Sequence, residues 1–365
     1  MKWSPQQDDA LSQVSSWLKD HSSQVFRLFG YAGTGKTTLA KHLAQDVDGD
    51  VLFGAFTGKA AYVLRAKGCE GASTIHSMIY RPEGGESEGD SPIFAIKRDC
   101  DAAKASLIII DECSMVDEEL GRDLLSFGNK VLVLGDPAQL PPVKGGGFFT
   151  EAEPDIMLTE VHRQAADNPI IAMSMDIREG KPIDYGTYGE SRVIPRSEID
   201  SDDILRADQV LVGTNKTRRQ FNGRIRELRG YEDLMPSADD KLVCLRNDKS
   251  KGLLNGGIWT VKRLNGMRKN LMKMELSSED DQSRKTVKVN VHPFFFEGKE
   301  HQLAYSARRK SDEFDYGYAL TVHKAQGSQW DDVVLFDQSG AFREHQIRWL
   351  YTAVTRAAER ITIVA

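Results

Sequence analysis

Residues Gly30 to Thr38 read GYAGTGKTT, which fits the pattern G-x-x-x-x-G-K-[ST]. That pattern needs a strand, a tight glycine loop and a helix in direct succession. The flanks supply both elements: Val25, Phe26, Leu28 and Phe29 form a short apolar run suited to a buried strand, and Leu39, Ala40 and Leu43 recur at helical spacing. The loop then sits at a helix N-terminus, where unpaired amides and the helix dipole favour an anion. Its glycines let backbone N–H groups cradle phosphates, Lys36 reaches the β/γ-phosphates, and Thr37 offers a hydroxyl to Mg²⁺.

A second apolar run, Leu107 to Ile110, ends in Asp111-Glu112. At a strand end, Asp111 is placed to hold Mg²⁺ directly or through water, and Glu112 to orient or deprotonate an attacking water. A third transition, Leu134 to Pro142 (LGDPAQLPP), puts Gln139 just past a strand, where it can hydrogen-bond a γ-phosphate or its water.

The 365 residues are 40% apolar and 28% charged, ordinary for a globular chain and unlike a disordered one. The N-terminus has neither a basic nor an apolar leader segment, and no run reaches the eighteen or so apolar residues of a membrane span, so a cytoplasmic protein is expected. Cys69, Cys100, Cys113 and Cys244 lack C-x-x-C spacing, which fits reduced thiols and no structural metal. With a formal net charge of −6, bulk electrostatics do not indicate a nucleic-acid partner. Locally, Asn215 to Tyr231 carries Lys216, Arg218, Arg219, Arg224, Arg226 and Arg229, and Lys262 to Lys273 forms a second basic cluster. Such a track suits single-strand binding, and equally a solvated helix face.

Strand candidates Val25 to Phe29, Val51 to Phe56, Leu107 to Ile110, Val131 to Leu134 and Ile156 to Leu158 alternate with helical stretches and predict a parallel sheet covered by helices. Val210 to Val212, Val333 to Phe336 and Ile361 to Val364 predict another, with Thr321 to Ala325 and Trp349 to Ala358 as linking segments. Between them, Met235 to Ala307 alternates apolar residues with Asn-Gly turns, as an antiparallel β-insertion would. The fold class expected is therefore α/β with two such domains. Their bounds are 1–160, with a β-hairpin insertion about 81–100, then 161–234 and 308–365, with a β-domain inserted at 235–307.

Read in order, WSPQQ, GYAGTGKTT, AFTGKAA, STIHSMI, IIIDECS, LGDPAQLPPV, LTEVHRQ, TVHKAQGSQW and LYTAVTRA resemble the superfamily-1 helicases across nearly the whole chain. The wording of STIHSMI, TVHKAQG and RNDKSKGLLNGGIWTV resembles the RecD-like and Dda-like branch, which moves 5′-to-3′ on single-stranded DNA. The resemblance implies two RecA-like P-loop NTPase domains, an SH3-like insertion in the second, and ATP and Mg²⁺ as ligands. It implies that Gln7 reads the adenine edge, that Gly30, Ala32, Gly33, Thr34, Gly35, Lys36, Thr37, Thr38 and Gly327 bind nucleotide, and that Thr37 and Asp111 hold the metal. Gln139 becomes a γ-phosphate sensor, and Arg163 and Arg356 become arginine fingers reaching across the cleft. Implied DNA contacts are Thr57, Gly58, Lys59, Thr74, His76, Asn215, Asn222, Thr321, His323, Lys324 and Gln326. Gln329 stands where many relatives carry Glu, which puts a ribose or coupling contact in doubt.

What the resemblance implies for activity is an ATP-dependent 5′-to-3′ DNA helicase, with single-stranded DNA and duplex junctions as partners. Single-strand-binding, replication or recombination proteins are candidate protein partners, with no membrane and a monomeric state. Phe94, the only aromatic residue between Tyr80 and Phe127, is the candidate wedge on a hairpin from Arg81 to Lys97. An RNA-directed motor, a translocase that clears proteins, and a nucleotide switch without motor activity remain as competing readings.

Overall fold

The computed structural model describes residues 3–20, 22–83, 93–142, 145–160, 168–280 and 286–365. Helix Pro5–Lys19 opens the chain on a capping box: the Ser4 hydroxyl accepts from Gln7 N–H, and the Gln7 side chain returns a bond to Ser4 N–H. Ala10, Val14 and Trp17 are buried on its inner face and pack on the first sheet.

That sheet runs Ser73–Thr74, Val51–Ala55, Leu107–Asp111, Lys130–Gly135, Val25–Gly30, Ile156–Leu158, every pair parallel. Leu107 to Ile110 are fully buried, as a strand covered on both faces requires. Each such side chain is worth about 1.5–3 kcal/mol against exposure. The ends of three neighbouring strands, Gly30, Gly135 and Asp111, come together at one edge, so the loops leaving them converge.

The second sheet runs Ala319–Thr321, Gln209–Val212, Trp330–Phe336, Ala357–Val364, Ser191–Ile194, with Gly186–Tyr188 antiparallel at its edge. The α/β class is as expected. Ser73–Thr74, Ala319–Thr321 and Ser191–Ile194 are strands the apolar pattern does not flag, because each is short and includes a polar residue.

A five-stranded antiparallel sheet runs Val287–Val291, Leu271–Ser278, Ile258–Arg268, Lys241–Cys244, Phe314–Tyr316. Its last strand lies beyond residue 307, where a length of chain reads by sequence as part of the α/β domain. Leu242, Trp259, Val291 and Phe314 share one core with Val210, Val334 and Val364 of the second parallel sheet. Tyr80–Glu83 pairs with Ile93–Ile96 as a small antiparallel ribbon on the first domain. No described helix is long and apolar enough to cross a membrane.

Candidate nucleotide site and strand-facing loops

Gly33 and Gly35 both take φ of 78°, a left-handed conformation that costs glycine little. They turn the chain from strand Val25–Gly30 into helix Lys36–Gln45. Lys36 Nζ donates to Gly30 O at 2.6 Å and Tyr31 O at 3.0 Å, so its charge lies over the loop. Gln7 is buried, and its Nε2 donates to Thr34 O at 3.0 Å. It braces the loop from behind and does not line the cavity in front of it.

That cavity, about 340 Å³, is walled by Ala32 to Thr38 and by Asp111, Glu112 and Gln139 on one side. Gly327, Thr355 and Arg356 close the other side, from the second α/β domain. Thr37 Oγ1 donates to Asp111 Oδ2 at 2.8 Å. Two hard oxygen donors side by side fit Mg²⁺, which takes few protein oxygens and keeps several waters. Glu112 follows in a left-handed conformation, φ 53°, with Asp111 Oδ1 accepting from its N–H at 2.8 Å. Burial pushes the Glu112 carboxyl above its ordinary range, while the Arg356 guanidinium draws it back. Arg356 is 5% exposed and is aimed by Thr352 O at 3.0 Å, Ser328 O at 3.2 Å and Thr355 Oγ1 at 3.1 Å. Gln139 lines the cavity, and its Oε1 is buried with no hydrogen-bond partner among the described residues. Gly327 is there because a Cβ would lie 2.9 Å from Ala60 Cβ across the cleft. Arg163 lies outside the described residues.

The expected strand contacts divide. Thr74 and Thr321 each end a strand, Thr57 lies two residues past one, and all three cap the helix that follows, accepting from Ser77, Lys324 and Ala60 N–H. Thr214 does the same for helix Asn215–Leu228, a role the sequence reading missed. Strands Val51–Ala55 and Ser73–Thr74 are neighbours, as are Gln209–Val212 and Ala319–Thr321, so each sheet presents a pair of capping threonines at adjacent strand ends. His76 packs edge-on against Phe94, ring centroids 4.4 Å apart, and His323 lies 5.6 Å from Phe342. Burial lowers both imidazoles below their usual range.

Other expected contacts are already engaged within the protein. Lys59 pairs with Asp280 on the antiparallel sheet, and Gly58 abuts Asn247 and Leu254 there. Asn222 is buried and exchanges hydrogen bonds with both backbone groups of Ala319, which makes it a strand clamp. Gln326 is buried and donates to Leu140 O across the cleft at 3.0 Å. Lys324 is lowered by burial and by Arg218 beside it. Asn215 is exposed and accepts from Arg218 at 3.3 Å. The basic helix is largely neutralised internally: Arg218 pairs with Asp315, Arg219 with Glu300, Arg224 with Glu227 and Arg226 with buried Asp240. A run of Arg along one helix was therefore a poor guide to a free positive track, because Asp315 and Glu300 reach it from distant segments while Glu227 and Asp240 meet it from close by in sequence. Gln329, in place of the common Glu, is exposed, with Nε2 3.5 Å from Ala357 O.

Two α/β sheets, with the glycine loop leaving the first, wall one cavity, which is the architecture of the P-loop nucleotide-binding class. The AAA domain family model matches residues 2–196, and a UvrD-like helicase C-terminal domain model matches residues 316–364. The ATP-dependent RecD2 DNA helicase of Deinococcus radiodurans is 31% identical over 375 residues, spanning 91% of this chain and 46% of that protein. The ATP-dependent DNA helicase dda of Enterobacteria phage T4 is 32% identical over 251 residues, 60% of this chain and 56% of that one. The chain thus spans about half the length of these curated relatives. A solved Pif1 helicase structure described as unwinding forked duplex DNA covers 100% of this chain and 92% of its own, with TM-score 0.60 and 20% identity. Bacteroides Pif1 with ADP-AlF3 and single-stranded DNA covers 100% and 93%, with TM-score 0.59 and 17% identity, a likeness of fold. The chain belongs to the AAA-domain family, and the RecD2 and Dda helicases are among the proteins it is similar to.

Proposed function

We propose that the chain is an ATP-dependent 5′-to-3′ DNA helicase that translocates on single strands and opens duplex as ATP binding and hydrolysis close and reopen the cleft. The carrying observation is that Lys36, Thr37, Asp111, Glu112 and Gln139 from one domain, and Arg356 from the other, face one cavity. Charge that spreads over a transferring phosphoryl group is met there from both sides only when the cleft is shut. Lys36 would hold the β/γ-phosphates, and Thr37 and Asp111 would hold Mg²⁺, which supplies charge neutralisation on phosphate oxygens. Glu112 would take the proton of the attacking water, Gln139 would sense the γ-phosphate, and Arg356 would act as the finger. Arg163 keeps its proposed role as a second finger. Gln7 would act through the loop it braces.

For the strand, the two threonine pairs keep a hydroxyl proton to donate to phosphate while the oxygen caps a helix. Contacts of that kind hold a backbone without reading bases, which suits a motor that releases at every step. The antiparallel sheet is read as the SH3-like insertion, extended by Phe314–Tyr316, and the ribbon around Phe94 as the duplex-splitting hairpin. The 5′-to-3′ direction follows from the RecD-like resemblance, and domain closure gives direction only if open and closed states differ in strand affinity.

The test is ATP hydrolysis with single-stranded DNA, with single-stranded RNA and with neither. Strong stimulation by DNA is expected. Equal rates in all three would favour a nucleotide switch, and preference for RNA would favour an RNA-directed motor.

A further inference from the structure

At one place the second α/β domain grips the phosphate loop itself. Tyr351 Oη accepts from Ala32 N–H at 3.0 Å and donates to Asp136 Oδ2 at 2.6 Å, so one hydroxyl joins the phosphate loop to the loop that carries Gln139. An amide N–H only donates, so the hydroxyl accepts from Ala32 and its own proton is left for the Asp136 carboxyl, which burial raises above its ordinary range. The next residue, Thr352, accepts from Leu140 N–H at 2.9 Å, while Gln326 donates to Leu140 O at 3.0 Å. Leu140, 1% exposed, is packed in the second domain's core with Trp349. Beside this, the Arg178 guanidinium lies 3.6 Å from the centroid of the Tyr31 ring. Tyr31 and Ala32, two of the four variable positions of the glycine loop, are thus both held from across the cleft.

We infer that Tyr351 is a positioning residue that fastens cleft closure to the phosphate loop; the inference rests on the ATPase reading of this cavity. Opening the cleft withdraws one hydroxyl from two bonds at once. Closing restores both, and the same segment delivers Arg356 five residues later while the docked Leu140 fixes its neighbour Gln139. Sensor and finger then arrive together, set by a residue that touches neither phosphate nor water.

Tyr351→Phe keeps the ring and its packing and removes only the bridge. Two readouts are needed: turnover with single-stranded DNA, and closure by energy transfer between dyes on cysteines placed at exposed Ser12 and Gln220 in a Cys100→Ser background. Closure is driven by a non-hydrolysable ATP analogue, so it is read without catalysis. A hydrogen bond to a charged group sets the scale: closed-to-open ratio and kcat should fall together by roughly tenfold or more, with the thermal midpoint kept. Values within about twofold of the parent for both overturn the inference. A fall in kcat with closure unchanged also overturns it, since the hydroxyl would then act on the chemistry, as would a fall in closure with kcat unchanged. If the parent chain hydrolyses no ATP with any strand, the ATPase reading fails, and the closure measurement alone still decides the role of Tyr351.

Discussion

Glu112 combines an unfavourable backbone with a buried carboxyl, and both features make sense if it must face a water in a dry cavity. A base whose pKa is raised by burial is protonated sooner as pH falls. The acid limb of turnover should therefore lie above the ordinary carboxylate range, and Glu112→Gln should bind ATP and fail to turn over. Lys36→Ala should also fail to turn over but with weaker nucleotide binding, because it removes the charge lying over the loop. Near-normal turnover of the Gln variant would remove Glu112 from its role. For Arg356→Ala, kcat should fall by roughly 10³-fold with little change in half-saturation, since a finger acts on the transition state. A change confined to half-saturation would mean that Arg356 binds the ground state. These residues were legible because the glycine loop and the acid pair are contiguous in sequence. Tyr351 and Asp136 were not, since their contact joins positions 215 residues apart and neither looks unusual alone.

Elements carry the next level. Four strand-to-helix junctions reuse one device, a threonine that caps the helix at a strand's end, and the sequence shows it in STIH and TVHK as well as in FTGK and GTNK. The junctions at Thr57, Thr74 and Thr321 lie in motifs the sequence offers, that at Thr214 does not, and their pairing on neighbouring strands needed the sheet order. Lys59 and Asn222 illustrate the opposite case, for a motif tells where a side chain begins and not which distant carboxylate or carbonyl claims it. Phe94, 44% exposed, packs one edge on His76 and leaves the rest of its ring available at the described base of the ribbon. Base stacking on an aromatic ring is worth about 1–3 kcal/mol. Phe94→Ala should keep strand-stimulated ATPase and single-strand translocation and lose most duplex unwinding. If ATPase and unwinding fall together, or neither changes, the wedge is not Phe94.

At the scale of the whole molecule, the alternation of strand and helix patterns made the α/β class legible, and the change of texture after residue 234 precedes the antiparallel sheet that starts at Lys241. What was hidden is how little the antiparallel sheet stands alone. Its core runs into that of the second parallel sheet, and Lys59–Asp280 ties it to the first domain. Such contacts join segments far apart in sequence, so no local pattern announces them. The most direct measurement is unwinding of otherwise identical duplexes with a 5′ or a 3′ single-stranded tail, in DNA and in RNA, with ATP and Mg²⁺. Strand separation of the 5′-tailed DNA alone is the predicted result; separation only from the 3′ tail, or none from either while ATP is hydrolysed, would contradict it.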